Sequence, residues 1–175
     1  RHFNDVCATE LAHRARIEPL AFCMFDLDHF KRYNDTYGHQ AGDTALCAIS
    51  AAMQAELKRA GEALFRLGGE EFGVLFSTPS DTLAVAFVEH LRQVVFALNI
   101  PHAGNPRWRM TASFGVGWWY DPGDGGPTPD AMYAAVDRAL YAAKAAGRDC
   151  VRLAPHNGSE PVRGIDARTA SPLAD

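Results

Sequence analysis

The chain has 175 residues, 47% of them hydrophobic and 22% charged, a balance that can build a core and excludes disorder throughout. Its length favours one domain and leaves little room for a second. With 17 Lys and Arg against 21 Asp and Glu the formal net charge is -4, so no overall basic field exists to hold a nucleic-acid polymer, although a local basic site is compatible with that charge.

Residues 3–17 read as a short helix that ends near Pro19. Residues 20–25 are continuously apolar, as in a strand buried on both faces, and the run ends at Asp26. From Asp43 to Leu57 the residues Ala45, Leu46, Ile49, Ala52 and Met53 recur at helical spacing, with Asp43 expected near the helix start. Two apolar segments, 64–67 and 72–76, flank Gly68, Gly69, Glu70 and Glu71, the pattern of a glycine-cornered hairpin.

A second long helix is expected over residues 80–98, begun by a capping residue, and a strand over residues 108–119. The Gly- and Pro-rich segment 121–129 reads as a loop. Thr128 or Asp130 can cap the alanine-rich helix that follows and runs to Gly147. A short last strand fits residues 150–153. From residue 154 to 175 the composition turns polar, which predicts a flexible tail or linker behind a domain of residues 1–153. Because the hairpin forces an antiparallel pair, a purely parallel sheet is excluded. The expected fold class is α+β: a mainly antiparallel central sheet flanked by helices, of the ferredoxin-like or polymerase-palm type.

No apolar run approaches the ~20 residues needed to cross a bilayer. The expectation is a soluble, cytoplasmic domain, with membrane attachment of its parent left open. The four cysteines, Cys7, Cys23, Cys47 and Cys150, form no CxxC pair. Cys23 and Cys47 lie in apolar runs, where a buried thiol is the default, so a reducing compartment fits. The histidines form no HExxH pair, which gives a structural zinc site little support.

The chemistry concentrates in acidic residues and glycines. Asp26 and Asp28 lie two apart at the end of the first strand, so if the strand continues both carboxylates leave it on the same side. Burying one carboxylate is costly, and grouping several around a divalent cation is a common remedy. Glu70 and Glu71 follow two glycines whose missing side chains would let a phosphate approach the backbone. Together these features suggest a metal-bound nucleotide. Taken singly, they also fit two carboxylates capping the next turn and two glycines closing a hairpin.

The run from Phe25 to Asp43, FDLDHFKRYNDTYGHQAGD, followed by Arg66-Leu67-Gly68-Gly69-Glu70-Glu71-Phe72, closely resembles the GGDEF domains, the diguanylate cyclases, in a GGEEF form of the signature. The similarity continues through Thr111-Ala112-Ser113-Phe114-Gly115 and from Tyr141 to Arg148, in the family's order and spacing. The resemblance implies that two GTP molecules are joined into cyclic di-GMP with release of two pyrophosphates, across a homodimer in which each domain holds one GTP. It further implies that Asp26 and Glu70 hold two magnesium ions, or manganese in their place, with the Leu27 carbonyl as a further ligand and Glu71 beside them.

By the same resemblance Asn34 and Asp43 would read the guanine base, and Lys31, Lys144 and Arg148 would hold the triphosphate. A carboxylate suits guanine because it accepts from N1–H and N2–H, which adenine does not offer. Without the family, Asn34 reads as a helix terminator, Asp43 as a cap and the three basic residues as solvated charge. Lys144 and Arg148, four apart, are expected on one helix face. Phe30 and Phe72 are expected in the core.

Three departures from the family pattern stand out. The usual DxLTGLxNR opening is absent, so the sequence reads as trimmed at its N-terminus, with an upstream sensory or dimerising domain expected in the parent protein. An inhibitory product site, RxxD in many relatives, corresponds here to Arg59-Ala60-Gly61-Glu62, in which Arg59 and Glu62 keep the charges but Glu adds a methylene. Asp149 stands where Asn is commoner and reads as peripheral. The rival to an active cyclase is a catalytically silent GGDEF domain that binds GTP or cyclic di-GMP and regulates a partner. A related cyclase or polymerase palm with another substrate is the third reading. The intact signature residues favour the enzyme.

Overall fold

The computed structural model describes residues 19–59, 61–120 and 128–155. The expected helix at residues 3–17, Cys7, the loop residues 121–127 and the tail from residue 156 onward lie outside these. The described elements, in chain order, are β1 (Leu20–Leu27), α1 (Phe30–Tyr37), α2 (His39–Glu56), β2 (Ala63–Gly68), β3 (Glu71–Ser77), α3 (Asp81–Ala97), β4 (Ala112–Trp119), α4 (Pro129–Ala145) and β5 (Val151–Leu153). The strands form one sheet in the order β2-β3-β1-β4-β5, antiparallel throughout except for the parallel β4–β5 pair. The fold is α+β, as expected.

Alternation along β1 divides the core. Ala21, Cys23, Phe25 and Leu27 face α1, α2 and α3, while Leu20, Phe22 and Met24 face α4. Both faces are covered, which is why the segment reads as an unbroken apolar run. Phe25 pairs in register with Phe72 on one side and Phe114 on the other, and its ring lies 5.0 Å and 4.9 Å from theirs. Such aromatic contacts contribute about 0.5–1.5 kcal/mol each beyond the area they bury.

Several boundaries differ from the sequence reading for identifiable reasons. Helix α1 was not anticipated, because only Phe30 and Tyr33 of its eight residues are buried and its N-cap, His29, makes no side-chain cap. Its start is held from outside. His102, fully buried, accepts at Nδ1 from the Gly104 amide and donates from Nε2 to the His29 carbonyl, each at 3.2 Å. Helix α2 begins at His39, so Asp43 lies beyond the first turn and caps nothing. The strand expected from residue 108 begins only at Ala112, because Trp108 has φ 59 and closes a loop through its amide bond to the Asn105 carbonyl. Cys23 is fully buried, its thiol pushed up to about 12 by burial, whereas Cys47 is exposed on α2 rather than in the core.

Ser80 caps α3 by accepting from the Leu83 amide, and Thr128 caps α4 by accepting from the Ala131 amide. Among the described residues no helix is long and apolar enough to cross a membrane. Gly115 on β4 lies directly beneath the backbone of α4, where a Cβ would collide with the Leu140 nitrogen and the Val136 oxygen. Neither atom can yield without lifting the helix. Gly115→Ala should therefore cost about 2–3 kcal/mol, read as a lowered urea midpoint at unchanged m-value; wild-type stability would show that the helix does not rest on this glycine.

Candidate active site

Asp26 is the last inward-alternating residue of β1 on the α4 side, and its register partners are Glu71 on β3 and Ser113 on β4. Residues directly opposite in an antiparallel pair project from the same face, so Asp26 and Glu71 emerge together. Gly69 and Glu70 form the two-residue turn between β2 and β3. Gly69 takes φ 52, and its carbonyl accepts from Arg66 Nε at 3.0 Å and Nη2 at 2.8 Å, which pins the turn to the strand before it. Among the described residues, chain neighbours aside, nothing lies within 4 Å of where a Cβ would stand on Gly68 or Gly69, so the space at both is open to a ligand.

Lys144, in the last turn of α4, places Nζ 2.9 Å from Asp26 Oδ2. Burial raises the Asp26 carboxyl above its ordinary 3.8, the Lys144 ammonium opposes that shift, and the charges of Glu70 and Glu71 push it up again. The structure thus brings Asp26, Glu70, Glu71 and Lys144 into one electrostatic neighbourhood. Among the described residues, no three His, Cys, Asp or Glu side chains are grouped to hold a metal ion alone. The set nevertheless fits magnesium. That ion takes hard oxygen ligands, commonly only one or two carboxylates, and completes its shell with water and phosphate oxygens. Asp26 already faces a cation, and Glu70 stands at an open turn.

Asp28 behaves differently from its neighbour. The strand ends at Leu27, and Asp28 turns inward, 1% exposed, where its carboxylate accepts from Thr111 Oγ1 at 2.7 Å, Ser113 Oγ at 2.6 Å and the Asp149 amide at 3.1 Å. The expectation that both carboxylates leave an open strand end is corrected: Asp26 alone is presented to the site, and Asp28 is consumed by internal donors.

Asn34 lies inside α1, with its side chain packed against Gly42, the residue before Asp43; a Cβ at position 42 would collide with the amide. Its Oδ1 is buried and, among the described residues, lacks a hydrogen-bond partner. Asp43 is exposed on α2 next to it. Neither residue plays the terminating or capping role that the bland reading allowed. Lys31 is exposed in the first turn of α1. Arg148 does not share a helix face with Lys144, because α4 stops at Ala145 and Gly147, at φ 108, turns the chain into a left-handed pair, Arg148 at φ 65 and Asp149 at φ 48. From there the Arg148 charge acts on His29, in the turn after β1.

Arg59 and Glu62 are not brought to this site. They follow the far end of α2, a helix about 27 Å long at 1.5 Å per residue, where the Arg59 amide donates to Glu62 Oε2 at 2.9 Å and the Glu62 amide to the Arg59 carbonyl at 3.2 Å. Asp149, read as peripheral, is the residue the sequence reading undervalued. Its carboxylate pairs with Arg92 Nη1 on α3 and with Arg107 Nε at 3.4 Å. No motif signals such a link, since its members come from three separate segments.

The family model "Diguanylate cyclase, GGDEF domain" matches residues 1–150. The diguanylate cyclase DgcM of Escherichia coli K12 is 38% identical over 146 residues, 83% of this chain and 33% of the relative, and DgcP of Pseudomonas aeruginosa is 36% identical over 135 residues, 77% of this chain and 19% of the relative. The chain thus spans a third or less of these relatives. Among solved structures, the GGDEF domain of DgcB from Caulobacter crescentus in complex with c-di-GMP is similar at a TM-score of 0.74 and 26% identity, covering 88% of this chain and 86% of that one. The active GGEEF domain of a diguanylate cyclase from Vibrio cholerae is similar at 0.70 and 26%, covering 87% and 94%.

The Lys144–Asp26 pair carries a pH signature. In Lys144→Met, with divalent cations chelated, the Asp26 carboxyl rises further above 3.8, so the folded state holds its proton over a wider range than the unfolded chain. The stability gap to wild type should be small near pH 4 and widen to about 1–2 kcal/mol by neutral pH. Chemical denaturation across that range measures it; a gap that does not change with pH would contradict the pairing.

Proposed function

The chain belongs to the GGDEF family of diguanylate cyclase domains, and on that premise we propose that it condenses two GTP molecules into cyclic di-GMP with release of two pyrophosphates. The observation that carries this reading is the convergence of Asp26, Glu70 and Glu71 on one open turn faced by Lys144. Asp26 and Glu70, with the Leu27 carbonyl, would hold two magnesium ions, or manganese in their place. Bound there, the metal supplies charge neutralisation at the phosphates and eases ionisation of the attacking 3′-hydroxyl.

The protein's own groups do the rest. The open backbone at Gly68 and Gly69 admits the phosphates, and Lys144, Lys31 and Arg148 balance their charge. Once a triphosphate arrives, the Lys144 ammonium has a more highly charged partner than Asp26. Asn34 Oδ1, buried beside Asp43 and without a partner among the described residues, is an acceptor in need of a donor, and guanine brings N1–H and N2–H. A purine lacking those hydrogens would leave both acceptors unsatisfied, so GTP is selected over ATP. Each domain offers one such site, so a homodimer must bring two nucleotides face to face for turnover. An upstream sensory or dimerising domain in the parent protein would set that encounter, and Arg59 with Glu62 would be the place for product feedback.

The test is incubation of the purified protein with GTP and magnesium, followed by chromatography of the products. Unchanged protein should yield cyclic di-GMP and pyrophosphate, and Glu70→Ala should lower the rate at least about 100-fold. Tight GTP binding by both proteins with product from neither, at high concentration, would replace the enzyme reading with that of a silent nucleotide-binding module.

A further inference from the structure

We propose that Asp149 is a positioning residue for Arg148: it locks the turn behind α4 so that the Arg148 guanidinium stands over the phosphate side of the site. This rests on the GTP reading above. It starts from the backbone. Arg148 and Asp149 are consecutive non-glycine residues in the left-handed region, at φ 65 and φ 48. Each such residue costs about 1 kcal/mol or more, so a run of two persists only where the surroundings impose it.

The surroundings do so from both sides of Arg148. Its own amide donates to the Ala143 carbonyl at 3.1 Å, closing the end of α4. The Asp149 amide donates to Asp28 Oδ2 at 3.1 Å, and Asp28 is itself held by the Thr111 and Ser113 hydroxyls, with Asn105 Nδ2 donating to Thr111 Oγ1 at 3.0 Å. The Asp149 carboxylate, 8% exposed, is gripped by Arg92 and reached by Arg107. Arg92 is fixed in turn by Glu89, whose Oε1 lies 2.6 Å from Nη2. Every group around residue 149 is therefore tied to α3, to β4 or to the loop before it, while the Arg148 side chain is left exposed.

The arrangement has a geometric consequence. Asp28 is two residues beyond Asp26, so the anchor of Asp149 and the candidate metal ligand ride on the same strand end. The guanidinium that would meet the triphosphate is thereby referenced to the carboxylate that would meet the metal through the main-chain N–H of Asp149 on Asp28 rather than through the length of α4, and the Asp149 carboxylate, held by Arg92 and Arg107, fixes the turn in which that N–H lies. An exposed Arg on an unrestrained turn would lose several rotatable bonds on binding phosphate; a fixed backbone removes that part of the loss. Asp149 touches no substrate atom in this scheme and acts only through its neighbour.

The experiment is a double-mutant cycle read by equilibrium binding of the α,β-methylene analogue of GTP with magnesium, which cannot release pyrophosphate, alongside KM and kcat for GTP. Asp149→Ala should weaken binding about tenfold and raise KM more than it lowers kcat. Asp149→Asn, which keeps an oxygen for Arg92, should recover most of the loss. Arg148→Ala should weaken binding at least as much, and adding Asp149→Ala to it should weaken it no further. If Asp149→Ala proves unstable, Arg107→Ala removes one grip on the carboxylate from an exposed position and should show a smaller loss that also vanishes in the Arg148→Ala background. Unaltered binding in Asp149→Ala, or equal losses with and without Arg148, would overturn the proposal. Failure of the unchanged protein to bind the analogue would instead overturn the GTP reading itself.

Discussion

The register of three strands at Phe72, Phe25 and Phe114 is the constraint on which the rest of the molecule depends. These residues stack across the sheet one row before its open end, and the next row is Glu71, Asp26 and Ser113. Side chains alternate with a period of two, so a slip of one residue would send Asp26 into the apolar layer beneath α2 and α3 and bring Phe25 to the site. The cost of burying that carboxylate and exposing that ring holds the register. The acidic cluster is thus aligned by the hydrophobic core rather than by attraction among its own members, which repel one another.

Two carboxylates separated by one residue, Asp26 near the end of β1 and Asp28 just beyond it, meet opposite fates, and the difference lies in what faces them. Asp28 receives two hydroxyls and an amide in a closed interior; a carboxylate so solvated by fixed donors has little left to offer a ligand. Asp26 faces one flexible ammonium at the rim. An ammonium on a long stem is an exchangeable partner, and it stands where a divalent cation and a triphosphate would divide its role between them. Helix α4 reaches far enough to deliver it because Gly115 lets its backbone rest directly on β4.

In the proposed reading the site would have a base end and a phosphate end, built on different principles. At the junction of α1 and α2 a buried amide oxygen is left without a partner among the described residues, beside an exposed carboxylate, and α1 is held there by a buried neutral histidine rather than by a cap of its own. At the strand end the elements are rigid: a two-residue turn pinned by Arg66 and a left-handed turn pinned by Asp28 and Asp149. An unsatisfied acceptor selects among ligands, since only one carrying the right donors relieves it. Rigid elements on the proposed phosphate side would hold reacting groups in place.

Much of this was legible in one dimension. The signature residues were picked out by their resemblance to the family, while the buried strand that carries Asp26 near its end, the glycine hairpin and the three long helices follow from local periodicity, turn chemistry and spacing. Each of those depends on neighbours a few positions away. Helix α1, the late start of β4 and the break that separates Arg148 from Lys144 were not legible, because each is decided by a partner distant along the chain: His102 for α1, Asn105 for the loop before β4, Asp28 for the turn after α4. The exposure of Cys47 and the burial of Asp28 belong to the same class. Composition and pattern name the groups that can do chemistry, but whether a given carboxylate is spent inside the fold or offered at its surface depends on which donors the folded chain brings within about 3 Å of it, and that is a property of tertiary contacts alone.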